Sequence, residues 1–264
     1  MRFRRTPTRP ADGSFAGTEA ELTAMTRDLE AIHHDVSLPR LHQAVGEWTE
    51  HVRTSRRGFL VGAGAVAGGA LLAACSSGAV GSSKAVGSPH ATSSPATLTG
   101  DLAVAGLAAS LENLAVGAYD AGIRAATAGK LGTVPPAVVT FATTARSQHA
   151  QHGQAWNSIL TAAGHKAITA PDPVLGPMIT QQLGQVHDVV GLAKLALSLE
   201  DVAAATYQAG IGSLSSTSAV KVAASIQPVE LQHAAILLFA LGQYPVPNAF
   251  SPTSGARPVS DLKG

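Results

Sequence analysis

Between residues 76 and 264, glutamate occurs at three positions only: Glu112, Glu200 and Glu230. A bundle that used glutamate for solubility would scatter it over exposed faces, where its helix propensity helps. Here Gln, Thr, Ser and Asp fill that role. Two of the glutamates sit on mostly apolar stripes, Glu112 with Ala108, Ala115, Val116 and Tyr119, and Glu200 with Ala196, Ala203, Ala204 and Tyr207. Positions i, i+3, i+4 and i+7 share one helical face. A carboxylate buried without a partner is strongly unfavourable, so each needs compensation. The candidates are two pairs spaced three apart, His149 with His152 and Glu230 with His233. Carboxylates and imidazoles converging in a core can do one of two things. They can hold transition-metal ions, or satisfy one another as a metal-free polar network.

Helices must position these groups. Residues 98 to 244 are rich in Ala and Leu, with few turn signals and no useful alternating pattern, enough for one all-α four-helix bundle. The expected helices cover about 100–128, 135–163, 178–213 and 217–242. Gly129, Gly164 and Gly242 are their stops, and Pro135 is a first-turn residue. Pro228 either kinks the last helix, freeing the Ala224 carbonyl, or marks its true start. The core should hold Leu107, Leu111, Leu114, Ile159, Leu195, Leu199, Ile236 and Leu237. An internal repeat sets the architecture: SLENLAVGAYDAGI at 110–123 matches SLEDVAAATYQAGI at 198–211 in eight of fourteen positions. His149-Ala-Gln-His152 aligns more loosely with Glu230-Leu-Gln-His233. The bundle reads as two duplicated helical hairpins that bring the polar residues to its centre.

In these residues the chain resembles the ferritin-like superfamily of di-metal carboxylate bundles, in particular its secreted bacterial branch with a twin-arginine signal and lipobox. The family places one Glu on each of two helices and Glu-x-x-His on each of the other two. The resemblance implies Glu112 and Glu200 as the single glutamates and Glu230 with His233 as one complete Glu-x-x-His. His152 matches the other histidine, and His149 stands where the second bridging carboxylate is expected. It also implies iron as the first candidate metal, with zinc or manganese as alternatives, and slow iron oxidation at most. Tyr119 and Tyr207, two turns after their glutamates, are its candidate catalytic residues.

The N-terminal quarter reads as an address. Ser55-Arg56-Arg57-Gly58-Phe59-Leu60 precedes an uncharged apolar run ending in Leu72-Ala73-Ala74-Cys75. Arg56 and Arg57 suit the twin-arginine export machinery, and Cys75 suits lipidation at a bacterial lipobox. The alternative is a single uncleaved N-terminal membrane anchor, since Gly58 to Ala74 just reaches spanning length. Gly62, Gly64 and Gly68 have the wrong spacing for a dinucleotide fingerprint. Residues 55–75 are thus the expected signal, 76–97 a flexible Ser/Gly/Ala-rich tether, and 245–264 a Pro/Ser-rich tail that wraps or frays. Residues 1–54 read as a cytoplasmic or pro-region extension with amphipathic helices. Its His33, His34, His42 and His51 do not share one face and are expected on a solvated surface. Gln148, Gln151 and Gln154 could hydrogen-bond near the site but better suit exposed helix surface, His165 and His187 suit the surface or helix ends, and Trp156 and Phe239 the core or an anchoring role.

A net charge of +1 offers nothing to nucleic acid, and a single Cys excludes a disulfide framework or thiolate zinc site. No nucleophile motif, phosphate loop or H-E-x-x-H occurs. Three functions are left: an exported, lipid-anchored protein that binds one or two metal ions, a metal-free structural or protective envelope lipoprotein, and a partner-binding module. The first takes metal ions and the membrane as partners, and a homodimer suits all three.

Overall fold

A computed structural model of the protein describes residues 15–72 and 97–261. Cys75 and nearly all of the expected tether lie outside the described residues, as do the side chains of Arg56 and Arg57. Seven α-helices are present among the described residues, and no strand. Helices α3 (Asp101–Thr127) and α4 (Pro136–Ala162) form the first hairpin. Helices α6 (Val189–Ser213) and α7 (Thr217–Ala240) form the second. Between the hairpins lies α5 (Leu175–Leu183). Before them come α1 (Glu19–Ile32), a π-helical turn at His33–Ser37, and α2 (Leu38–Leu72).

Local chemistry accounts for the boundaries. Gly129, Gly164 and Gly242 each take positive φ just past a helix end. After α4 and α7, the next amide returns to the last turn: His165 N–H donates to Leu160 O at 2.9 Å, and Gln243 N–H to Leu238 O at 2.8 Å. The long helix expected over 178–213 is in fact two. Gly184 ends α5, and Asp188 starts α6 by accepting from Gly191 N–H at 2.6 Å. Pro228 lies inside a continuous α7, so of the two expectations the helix runs through the proline rather than starting at it.

Along each of the four bundle helices a polar layer separates two apolar ones. One cluster joins Ala105, Trp156, Ile159, Val222 and Ile226. The other joins Tyr119, Phe141, Val190, Ile236 and Leu237. Glu112, His149, Glu200 and Glu230 occupy the sequence positions between them. A third cluster, Leu114, Ile179, Leu195 and Leu199, seats α5 against the bundle. All eight core residues expected from the sequence are buried. Helices α3 and α7 are long and apolar enough to cross a membrane, yet most of each is packed inside the protein.

The N-terminal helices differ from the solvated extension expected there. Leu41, Ala44 and Trp48 of α2 enter the first cluster, and Leu22 and Leu29 of α1 enter the second. α4 begins after Pro135, which offers no capping side chain. Glu19 supplies one instead, accepting from Ala137 N–H at 2.6 Å. At the other end of the chain the tail wraps, with Arg257 paired to the buried Asp172 at 3.3 Å.

Candidate metal centre

Six side chains meet in the polar layer, and none is more than 2 % exposed: Glu112 from α3, His149 and His152 from α4, Glu200 from α6, Glu230 and His233 from α7. His149 Nδ1 lies 2.8 Å from Glu112 Oε2, and its Nε2 lies 3.3 Å from Glu200 Oε1. His152 Nδ1 is 3.1 Å from Glu230 Oε1, and His233 Nδ1 is 3.3 Å from Glu200 Oε2. Two overlapping sets of four donors result, each drawn within 4.8 Å. One is Glu112, His149, His152 and Glu230, and the other is His149, Glu200, Glu230 and His233. Glu230 and His149 belong to both. They stand at matched positions of the duplicated hairpins, as the loose alignment of α4 with α7 requires.

Gly153 lets α3 and α4 approach at this level, since a Cβ there would meet Glu112 Cβ at 3.3 Å. A void of about 10 Å³, the size of one water, lies against Glu112 and His149 under Leu175 of α5.

The tyrosines cross between hairpins. Tyr119 of α3 donates to Glu200 Oε1 at 2.5 Å, and Tyr207 of α6 donates to Glu112 Oε1. The repeat therefore yields reciprocal bonds, each hairpin's tyrosine orienting the other's glutamate. Trp156 Nε1–H donates in turn to the Tyr207 hydroxyl at 2.7 Å.

Burial works against every charge here, and the outcome depends on neighbours. Burial would raise Glu112, but the adjacent His152 and His149 rings outweigh it and hold the carboxyl at about 2. Glu200 is likewise held well below its usual range by His149 and His233. Burial would lower His152, yet Glu112 and Glu230 raise it to about 9, and His149 is raised well above the ordinary imidazole value by Glu230 and Glu200. Glu230 goes up, because burial adds to repulsion from Glu112 and Glu200.

The pairing is incomplete. Both carboxylate oxygens of Glu230 and both ring nitrogens of His152 are buried without hydrogen-bond geometry to any partner. Unpaired polar atoms at such depth are rare and call for an explanation. Three carboxylates and three imidazoles aimed at one another, the shared carboxylate among the unpaired groups, fit the donor preferences of transition-metal ions.

A family model for a ferritin-like domain matches residues 100–243, more than half of the chain. The chain belongs to the ferritin-like family. No curated protein and no solved structure matches it. Ferritin-like bundles carry a Glu on each of two helices and a Glu-x-x-His on each of the other two. In this ferritin-like domain the first Glu-x-x-His is replaced by His149-x-x-His152, so His149 stands between the two donor sets opposite Glu230.

Two participants depart from the preferred reading of the sequence, although hydrogen bonding near the site was the alternative for Gln148. Gln148, expected on the surface, is buried and accepts from His233 Nε2 at 2.8 Å. His33, expected in solvent, is 4 % exposed; its Nε2 pairs with Gln151 Oε1 at 3.0 Å and its ring meets that of His152 edge-on at 5.4 Å. Burial and the neighbouring His152 lower it to about 4. A signal for it existed. Leu22, Thr26, Leu29 and His33 recur at helical spacing on one face, and this face is buried. His34, His42 and His51 stay exposed, as do His187 and Gln154, while Trp156 is fully buried and Phe239 half-buried.

Proposed function

We propose that this ferritin-like domain binds one or two transition-metal ions in its polar layer. The Glu230 carboxylate, buried between two donor sets and close to His152 without hydrogen-bond geometry, is the observation that carries this reading. Glu200, Glu230 and His233 would hold the first ion, since Gln148 already orients the His233 ring from behind. Glu112, His149 and His152 would hold the second, with Glu230 shared. Bound iron or manganese supplies one-electron chemistry, whereas zinc supplies charge alone. The protein's own groups exclude water, fix the two carboxylates through Tyr119 and Tyr207, and surrender imidazole protons on binding. His149 in place of a carboxylate leaves the ligand set one negative charge short of the family pattern. Tight binding of one ion, or a mixed pair with slow iron oxidation, follows from that deficit.

Elemental analysis of the purified chain after loading with iron, zinc or manganese tests the proposal. One to two ions per chain is the expected result. A value well below one favours the metal-free polar network, which the 2.8 Å contact between His149 and Glu112 supports.

Export and lipid anchoring are part of the same proposal, supported by Arg56-Arg57, the uncharged run and Cys75 at its end. Cleavage before Cys75 would separate residues 1–74 from the bundle, so the docked N-terminal helices belong to the chain before processing. Replacing both arginines by lysine should retain precursor in the cytoplasm, and Cys75→Ala should block processing. A soluble mature protein beginning elsewhere would refute the anchor.

A further inference from the structure

The N-terminal helices repeat the layering of the bundle they cover. Leu22 and Leu29 meet the apolar layer near Phe141, while Leu41, Ala44 and Trp48 meet the layer near Trp156. Between these two apolar sets, at the level of the metal donors, the buried residue is His33. It introduces the π-helical turn, which takes up one extra residue and keeps Leu41 on the same face as Leu29. Such turns often mark functional positions, and here the turn presents an imidazole to His152. A second line runs from the same segment to the site. Trp48 packs edge-on against Trp156 at 6.0 Å, Trp156 bonds Tyr207, and Tyr207 bonds Glu112.

The docking is also anchored at its ends. Glu19 caps α4, Ala16 N–H donates to Ala240 O at 3.0 Å, and Lys221 pairs with Glu47 at 2.8 Å. A groove of about 460 Å³ runs beside the turn, lined in part by Ile32, Val36, Lys221, Pro228 and Gln232.

We propose that the N-terminal helical pair is a cap on the metal site, with His33 as the plug over His152, and that ions enter and leave only when this cap lifts. The inference rests on the metal-binding reading above. It follows that processing at Cys75, which would free these helices to leave the bundle, allows a closed site to become an open one.

Cobalt(II) uptake by the metal-free full chain, followed by its visible absorption, tests the cap. Three forms are compared: the native chain, His33→Ala, and a chain carrying a protease site within residues 76–96, cut and then stripped of its N-terminal fragment. Before stripping, the cut fragment should co-elute with the bundle on size exclusion. His33→Ala and the stripped bundle should take up cobalt at least about tenfold faster than the native chain, at unchanged final stoichiometry, because access no longer waits for a local opening. His34→Ala, on the exposed neighbour, should leave the rate unchanged. Cobalt bound at equal rates in all forms overturns the cap and leaves the metal reading standing, as does a fragment that separates on cutting without any change in rate. No cobalt in any form overturns the metal reading and the cap with it. If His33→Ala does not fold, the stripped bundle, checked for helicity, decides the matter.

Discussion

The two hairpins carry the same scaffold and treat their histidines differently. In α6–α7, His233 is fixed from behind by Gln148 and from the front by Glu200. In α3–α4, His152 meets Glu230 at 3.1 Å without hydrogen-bond geometry and faces His33 of the N-terminal segment. The shared position also differs, being a carboxylate in one hairpin (Glu230) and an imidazole in the other (His149). Duplication thus preserved the geometry of the centre while its charge and its outer support diverged. The second hairpin offers a preorganised half-site. The first offers one that a segment outside the bundle covers.

The largest expected effect comes from removing the group both halves share. Glu230→Ala should abolish binding in both, lowering affinity by more than about 100-fold, the upper range for losing even an outer-shell partner; isothermal titration measures it. His149→Glu restores the symmetry that divergence removed. The second ion should then bind on the order of tenfold more tightly, as the ligand charge count rises. Without metal, the same variant should lose roughly 3–5 kcal/mol in denaturant unfolding, because it adds a buried charge with no partner. Equal affinities for both ions in the native chain would show that the halves do not differ.

Gln148→Leu frees His233 Nε2 and should weaken the first ion about 10- to 100-fold while sparing the second. If both ions weaken together, the two halves are not separable.

Acidity provides a smaller, continuous probe. His149 and His152 have raised values when folded, so without metal their pairing stabilises fully below the ordinary 6.5 and fades at higher pH, for His152 as pH passes about 9 and for His149 likewise well above the ordinary value. Glu112 behaves oppositely, its contribution fading as pH falls from 4.5 to about 2. The melting temperature of the metal-free chain should therefore fall from pH 6.5 to 9. The metal-loaded chain should show the reverse trend, since ligation needs unprotonated imidazole. Parallel trends would break the assignment.

The finest contrast lies in the crossed tyrosines. Tyr119→Phe and Tyr207→Phe should each cost about 1.5–3 kcal/mol, as bonds to charged acceptors do. Tyr207→Phe should cost about 1 kcal/mol more, because it also leaves the Trp156 N–H unpaired. Equal losses would show that the tryptophan contributes nothing to the centre.

The bundle was legible because its evidence is local or repeated. Apolar spacing, the glycine stops and the repeat at an offset of 88 each depend on neighbours in sequence, and the three glutamates stood out because residues 76–264 hold no others. The break at 184–188 was missed because Gly184 and Asp188 are weak signals inside an otherwise apolar run. Gln148 was placed at the surface, with a hydrogen bond near the site only as the alternative, for a different reason. Burial of an amide depends on what faces it, and His233 faces it from 85 residues away.

Residue type and periodicity were enough to specify four amphipathic helices, their pairing by duplication and the polar positions on their inner faces, since a helix must bury its apolar stripe whatever covers it. They could not specify which apolar surfaces cover which. Leu22, Leu41 and Trp48 announce that the N-terminal helices have a buried side, but a stripe carries no address for its partner. Only packing in three dimensions brought that side onto α4 and α7 and set His33 over His152. Hydrophobic burial is non-directional and acts between any two complementary faces, so shape and the alignment of polar with polar layers made the choice.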